Sequence, residues 1–190
     1  MVEEQLDEDL VTRAQSGDRR AFDLLVRKYQ YKIVQLVERL VGEGDALDVA
    51  QESFIKAYRA LNGFRGQSAF YTWLYRIAIN TSKNFLVARK RRPASQDIDV
   101  GDAELFGHTE QMSDVDTPEA MVLSDEIREK VTDAIRKLPE DLRTAITLRE
   151  LEGLSYEEIA EAMACPIGTV RSRIFRARAA IDDVLQPLLK

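Results

Sequence analysis

The chain has 190 residues, 45% of them apolar, and a formal charge of −6, which is enough material for one ordinary domain or two small ones with sizeable cores. A single cysteine, Cys165, and a single histidine, His108, exclude an internal disulfide and leave no ligand cluster for zinc, so neither a metal nor a cofactor is expected. No stretch approaches the roughly 18 apolar residues of a bilayer span, and Met1 to Asp9 is acidic where a secretory signal would be basic and then apolar, so a cytoplasmic protein is expected.

The sign of the net charge argues against a nucleic-acid partner until its distribution is considered. Glu3, Glu4, Asp7, Glu8 and Asp9, with the eight acids of Pro93 to Glu119, a stretch that has no Lys or Arg, more than account for it. From Leu10 to Arg92, sixteen basic residues face seven acidic ones, the footprint of a phosphate-binding surface. Ala120 to Lys190 is slightly acidic, with its positive charge concentrated in one helix.

Apolar residues recur at three- and four-residue spacing with no convincing alternation, which predicts an all-α protein. One stripe takes in Ala21, Phe22, Leu24, Leu25, Val26 and Tyr29 and continues through Ile33, Val34, Leu36, Val37 and Leu40, with Gly42 and Gly44 as its punctuation. A second runs through Ala46, Val49, Ala50, Phe54, Ile55, Ala57, Tyr58 and Leu61. Its polar side carries Asp45, Asp48, Gln51 and Glu52, which pattern alone reads as a solvated face. Asn62 to Gly66 is a loop, and Ser68 is placed to cap a helix through Trp73, Leu74, Ile77, Ala78 and Phe85 to the basic run Arg89 to Arg92.

In the segment FRGQSAFYTWLYRIAINTSK, Phe64 to Lys83, five aromatic rings are interleaved with Arg65, Arg76, Lys83 and the amide of Asn80. Rings among bases suit unstacked or flipped nucleotides, since a duplex exposes base edges and no ring faces. The same pattern also fits a helical core, which should absorb about half of the rings. Pro93 ends the helix. The acidic residues that follow, rich in Ser, Thr, Gly and Asp, read as a flexible linker, and a second helical unit starts near Pro118 with Thr117 as its cap.

Leu154 to Ile181 fits a helix-turn-helix. Ser155 and Glu158 form a capping box, Ala164, Cys165 and Pro166 the turn, and Ile167, Val170, Ile174, Ala177 and Ile181 the inward face of the second helix. Thr169, Arg171, Ser172, Arg173, Phe175, Arg176 and Arg178 are left outside. That face combines donors for guanine edges, hydroxyls for phosphates and a ring for thymine methyls, which suits duplex DNA. An arginine-rich helix on its own would equally be a solvated face; the capped partner helix decides for DNA.

The runs DVAQESFIKAYRALNGFRGQSAFYTWLYRIAINTSKNFL and LPEDLRTAITLRELEGLSYEEIAEAMACPIGTVRSRIFRARAAI resemble the extracytoplasmic-function sigma factors of the sigma-70 family, of envelope-stress and alginate type, from about Leu10 to Leu188. The resemblance implies two small helical domains, 1–92 and 120–190, joined by a tether, 93–119. It implies an alternative sigma factor that binds core RNA polymerase, directs it to stress-response promoters and helps melt them, with no reaction and no small-molecule substrate of its own. In matching positions, Asp45, Asp48, Gln51 and Glu52 would face the polymerase, overturning the solvated reading. Lys56, Phe64, Arg65, Ser68, Ala69, Phe70, Tyr71, Trp73, Tyr75, Ile77 and Asn80 would form or border a pocket for a flipped base of the minus-ten element. Arg149, Thr169, Arg171, Ser172, Phe175, Arg176 and Arg178 would contact the double-stranded minus-thirty-five element. An anti-sigma factor, anchored in the inner membrane, is the further partner implied, and it would hold the chain at that membrane.

An ordinary helix-turn-helix regulator would share the C-terminal motif but would need a dimer, and no heptad seam accompanies it. A protein-only adaptor would leave the arginine face unused. An enzyme is disfavoured because the lone His and Cys lie apart and no phosphate-cradling glycine loop is present.

Overall fold

The structure, a computed structural model, describes residues 2–91 and 118–186, with side chains described from 6 to 91, at 127 and from 129 to 186. The acidic linker, His108 and the Thr117 cap lie outside the described residues. Among those described there are eight α-helices, one short 3-10 turn and no strand.

α1 (Val2–Gln15) leads through a turn at Gly17, whose φ of 98° is open to glycine, into α2 (Arg19–Val41). Asp18 caps α2, its carboxylate accepting from the amides of Arg20 and Ala21. α2 buries Ala21, Phe22, Leu25, Tyr29, Ile33, Leu36, Val37 and Leu40, one face at helical spacing, while Leu24 is 47% exposed and departs from the expected stripe. Gly42, at φ 97°, makes the sharp link to α3 (Glu43–Ala60); Gly44 lies inside α3 and punctuates nothing. Ile55 and Tyr58 are 45% and 46% exposed, while Ala46, Val49, Ala50, Ser53 and Ala57 are the buried residues of α3. Leu61–Gly63 forms the 3-10 turn, and α4 is Phe70–Arg91. Ser68 does not cap it: the helix starts two residues later, and Ser68 makes no hydrogen bond among the described residues.

In the second group, α5 (Pro118–Lys137), α6 (Glu140–Glu150) and α7 (Tyr156–Ala162) pack against α8 (Ile167–Leu185) or its neighbours. Pro139 separates α5 from α6, and Gly153, at φ 70°, turns the chain between α6 and α7. The capping box of Ser155 and Glu158 is formed in both directions, at 3.2 and 2.7 Å. Ile159, Met163, Val170, Ile174 and Ala177 are buried as the pattern requires; Ala162 joins them, and Ala160, Ile167 and Ile181 are half-buried. The two helical groups touch, chiefly α4 on α7 and α2 on α6, and their buried side chains form one continuous cluster.

Candidate nucleic-acid interface

The stretch from Leu61 to Ala69 connects the 3-10 turn to α4 and stands on an aromatic base. Phe64 lies 5.1 Å from the Trp73 ring and edge-on to Phe70 at 6.0 Å, with Phe70 and Trp73 at 5.7 Å. Phe70, Trp73 and Tyr75 are buried, so these rings build the base of the site and do not offer stacking faces to solvent; the core takes them because their spacing is that of the inner face of α4. Phe64, Ser68, Ala69, Tyr71 and Ile77 are half-buried, and Arg65 and Asn80 are exposed. Two open clefts flank the loop. One of about 350 Å³ is lined by Gly63, Phe64, Arg65, Gln67, Ser68, Trp73, Arg76 and Glu161; the other, about 340 Å³, by Asp7, Glu8, Gly66, Ser68, Ala69, Tyr71 and neighbouring residues. Lys56, on α3, lines neither cleft; it is bonded to Glu52 at 2.7 Å and lies 3.4 Å from the Thr81 hydroxyl of α4.

The second helical group closes over this surface. Glu152, in the turn after α6, has a side chain only 7% exposed and accepts from Arg39 at 3.1 Å and from the Tyr75 hydroxyl at 2.8 Å. Burial first, and then this carboxylate, push the Tyr75 phenol above its usual range. Tyr71 donates to Glu158, Lys83 reaches Asp141 at 3.0 Å, and Arg173 takes the other oxygen of Asp141 at 2.5 Å. Arg173 therefore turns inward and is half-buried, against the expectation that it belongs to the outer face. Sequence reasoning found none of Arg39, Asp141 or Glu152, because their partners lie 32 to 113 residues away in the chain.

On α8 the remaining outer residues keep their place. Phe175 is 75% exposed, and Arg171, Ser172, Arg176 and Arg178 are exposed, with Thr169 half-buried at the helix start. Arg176 has no partner among the described residues, whereas Arg178 is held by Glu150 at 2.6 Å. Arg149 is occupied structurally: it donates to the Leu154 carbonyl at 2.8 Å and lies 5.0 Å from the Tyr156 ring, which Arg171 approaches at 6.0 Å. Hydroxyl, aromatic ring and guanidinium thus share one solvent-facing strip with the dimensions of a single helix, the element a major groove admits.

On α3, Asp48, Gln51 and Glu52 are exposed around Leu47, which is 69% exposed, while Asp45 is half-buried and paired with Arg89 at 3.1 Å. Leu47 is thus a single apolar side chain on an otherwise polar, solvent-facing side of α3. The sequence pattern passed over Leu47 because it falls outside the apolar stripe.

Residues 25–92 match the family Sigma-70 region 2, and residues 128–181 match Sigma-70, region 4. Both helical groups are therefore sigma domains, in the order in which that class carries them. Along its whole length the chain is 62% identical to the RNA polymerase sigma-H factor of Pseudomonas aeruginosa, covering 99% of that protein, and 60% identical to the ECF RNA polymerase sigma-E factor of Escherichia coli, covering all of it. Among solved structures it is similar to CnrH in complex with the cytosolic domain of CnrY, at 26% identity and a TM-score of 0.69 over 96% of this chain and 98% of that one. It is also similar to the sigma factor RpoE of Bartonella quintana in complex with the anti-sigma factor NepR, at 27% identity and a TM-score of 0.63 over 87% and 96%. The chain belongs to the extracytoplasmic-function sigma factors of the sigma-70 family. Such factors act in transcription initiation and are not enzymes. Among the described residues, no helix is long and apolar enough to cross a membrane.

Proposed function

We propose that the chain binds core RNA polymerase and steers it to stress-response promoters by dividing promoter recognition between two surfaces. The domains are 1–92 and 120–190, with 93–119 as the tether. Asp45, Asp48, Gln51 and Glu52, around Leu47, dock on the polymerase. Arg65, Ser68, Ala69 and Tyr71 rim the clefts beside the loop and, with Ile77 and Asn80 further along α4, take an unpaired base of the minus-ten element. Lys56 neutralises backbone charge next to them, while Phe64, Phe70, Trp73 and Tyr75 hold the loop from below. Melting needs separated bases to be captured, and a pocket on a fixed aromatic base does this at little reorganisation cost.

Arg171, Ser172, Phe175, Arg176 and Thr169 read the minus-thirty-five element as intact duplex, with Arg149 bracing the turn between α6 and α7 and Arg178 released from Glu150 to a phosphate. The observation that carries this reading is Arg176, without a partner among the described residues, beside the exposed Phe175 on the second helix of a capped helix-turn-helix. An anti-sigma factor, as NepR is for the similar RpoE, restrains the chain, and through it a cytoplasmic protein is held at the inner membrane.

Holoenzyme binding to a duplex upstream fragment and to a partly single-stranded minus-ten fragment tests the division. Arg176→Ala costs about 1–3 kcal/mol on the upstream fragment and relaxes its sequence preference. Asn80→Ala weakens the minus-ten fragment alone. Equal losses for both variants on both fragments contradict the division.

A further inference from the structure

Gln15, the last residue of α1, places its side-chain amide against the beginning of the minus-ten loop. Its Nε2 donates to the Leu61 carbonyl at 2.9 Å and to the Phe64 carbonyl at 2.8 Å, while the Phe64 amide closes onto the same Leu61 carbonyl at 3.0 Å. The Phe64 ring is fixed from the other side by Phe70 and Trp73. From Arg65 to Ser68 no hydrogen bond restrains the loop among the described residues. Its path is therefore set where it leaves Phe64 and where it joins α4.

α1 does not depend on this contact to stay in place. Leu10, Val11 and Ala14 are buried, Arg13 pairs with Asp18 at 2.9 Å, and Asp7, itself 6% exposed, accepts from Lys28 at 2.8 Å and from Tyr29. The amide is thus attached to a fixed helix and aimed at two carbonyls that would otherwise leave the loop's entry free to shift. Two N–H groups on one nitrogen can serve two acceptors; a carboxylate there would set negative charge against both oxygens.

We infer that Gln15 is a positioning residue for promoter opening, setting the loop that captures the minus-ten base from outside the pocket. The inference rests on the reading of that loop given above. A misplaced capture site discriminates poorly even when the protein is folded, because base recognition needs the donors held within a fraction of an ångström of their place.

The test uses holoenzyme assembled on core polymerase and two promoters, one with the preferred minus-ten sequence and one with the captured base replaced. The rate of opening is followed by 2-aminopurine fluorescence and expressed as the ratio between the two templates, so that any loss of active protein cancels. Gln15→Ala and Gln15→Glu lower this ratio about tenfold, the scale expected from two lost hydrogen bonds, while upstream duplex binding is unchanged. Gln15→Lys, which keeps a donor for both carbonyls, retains most of the discrimination. The inference is overturned if Ala and Glu leave the ratio intact while Asn80→Ala collapses it, or if Lys fails as badly as Ala, which would make the role one of packing. If Asn80→Ala and Arg65→Ala also leave the ratio unchanged, the loop does not capture the base, and the reading of the site falls together with the role of Gln15.

Discussion

At the scale of single residues, charge placement separates what is poised for DNA from what is committed to the fold. Arg178, Arg173 and Arg149 each have a carboxylate or carbonyl to hold, and Arg176 has none among the described residues. The outward pattern of α8 ranked Arg173, Arg176 and Arg178 alike, because an outward position on a helix says nothing about an acid supplied by another helix, and Arg149 entered through the resemblance alone. Glu38 shows the converse. Burial first, and then the negative charge of Glu43, raise its carboxyl above its ordinary value, with Arg39 opposing. A carboxyl raised in the fold contributes stability below the ordinary carboxylate range and loses it as pH climbs through the raised value. Glu38→Gln, which cannot ionise, should therefore melt at a higher temperature than the parent at pH 7, with the difference fading towards pH 4. An equal difference at both pH values would place the effect in packing instead.

At the scale of elements, the local signals were the readable ones. The capping box at Ser155 and Glu158, the breaks at Pro139 and Gly153, and the inward spacing of Val170, Ile174 and Ala177 depend on neighbours within a turn or two, and each sits where the sequence puts it. Ser155→Ala removes one half of the box and should destabilise the second helical group by about 1 kcal/mol, which thermal unfolding measures; Ser155→Thr should retain most of it. A helix of seven residues has little else to hold its first turn. Stripe width was less readable: Leu24, Ile55 and Tyr58 are as apolar as their buried neighbours, and only the packing of α2, α3 and α4 determines which of them is left outside. The aromatic segment divided as its mixed character suggested, with Phe70, Trp73 and Tyr75 buried, while the position that fixes its loop, Gln15, carries no sequence signal at all.

At the scale of the whole molecule, the contact between the two helical groups bears on how DNA is engaged. Stacked base pairs rise about 3.4 Å each, so elements centred near minus ten and minus thirty-five are separated by roughly 85 Å of duplex. On the division of promoter recognition proposed above, helical groups in contact through Glu152, Glu158 and Asp141 do not reach across that distance, and they part before both elements are held. Glu152 is the best-shielded member of the contact. Removing it leaves the guanidinium of Arg39, whose side chain is only 20% exposed, without its carboxylate. Glu152→Ala should therefore shift the free protein towards separated groups, read as a fall in energy transfer between dyes at exposed positions such as Arg59 and Arg171. Unchanged transfer would mean that the apolar part of the seam holds the groups on its own.

The central claim is that this chain gives core RNA polymerase its choice of promoter. Single-round transcription by purified core enzyme on a genomic promoter library, with and without the protein, measures this directly. Transcripts that start only when the chain is present, from templates sharing one upstream and one downstream element at a fixed separation, are the predicted result. The same start sites in its absence would contradict the claim.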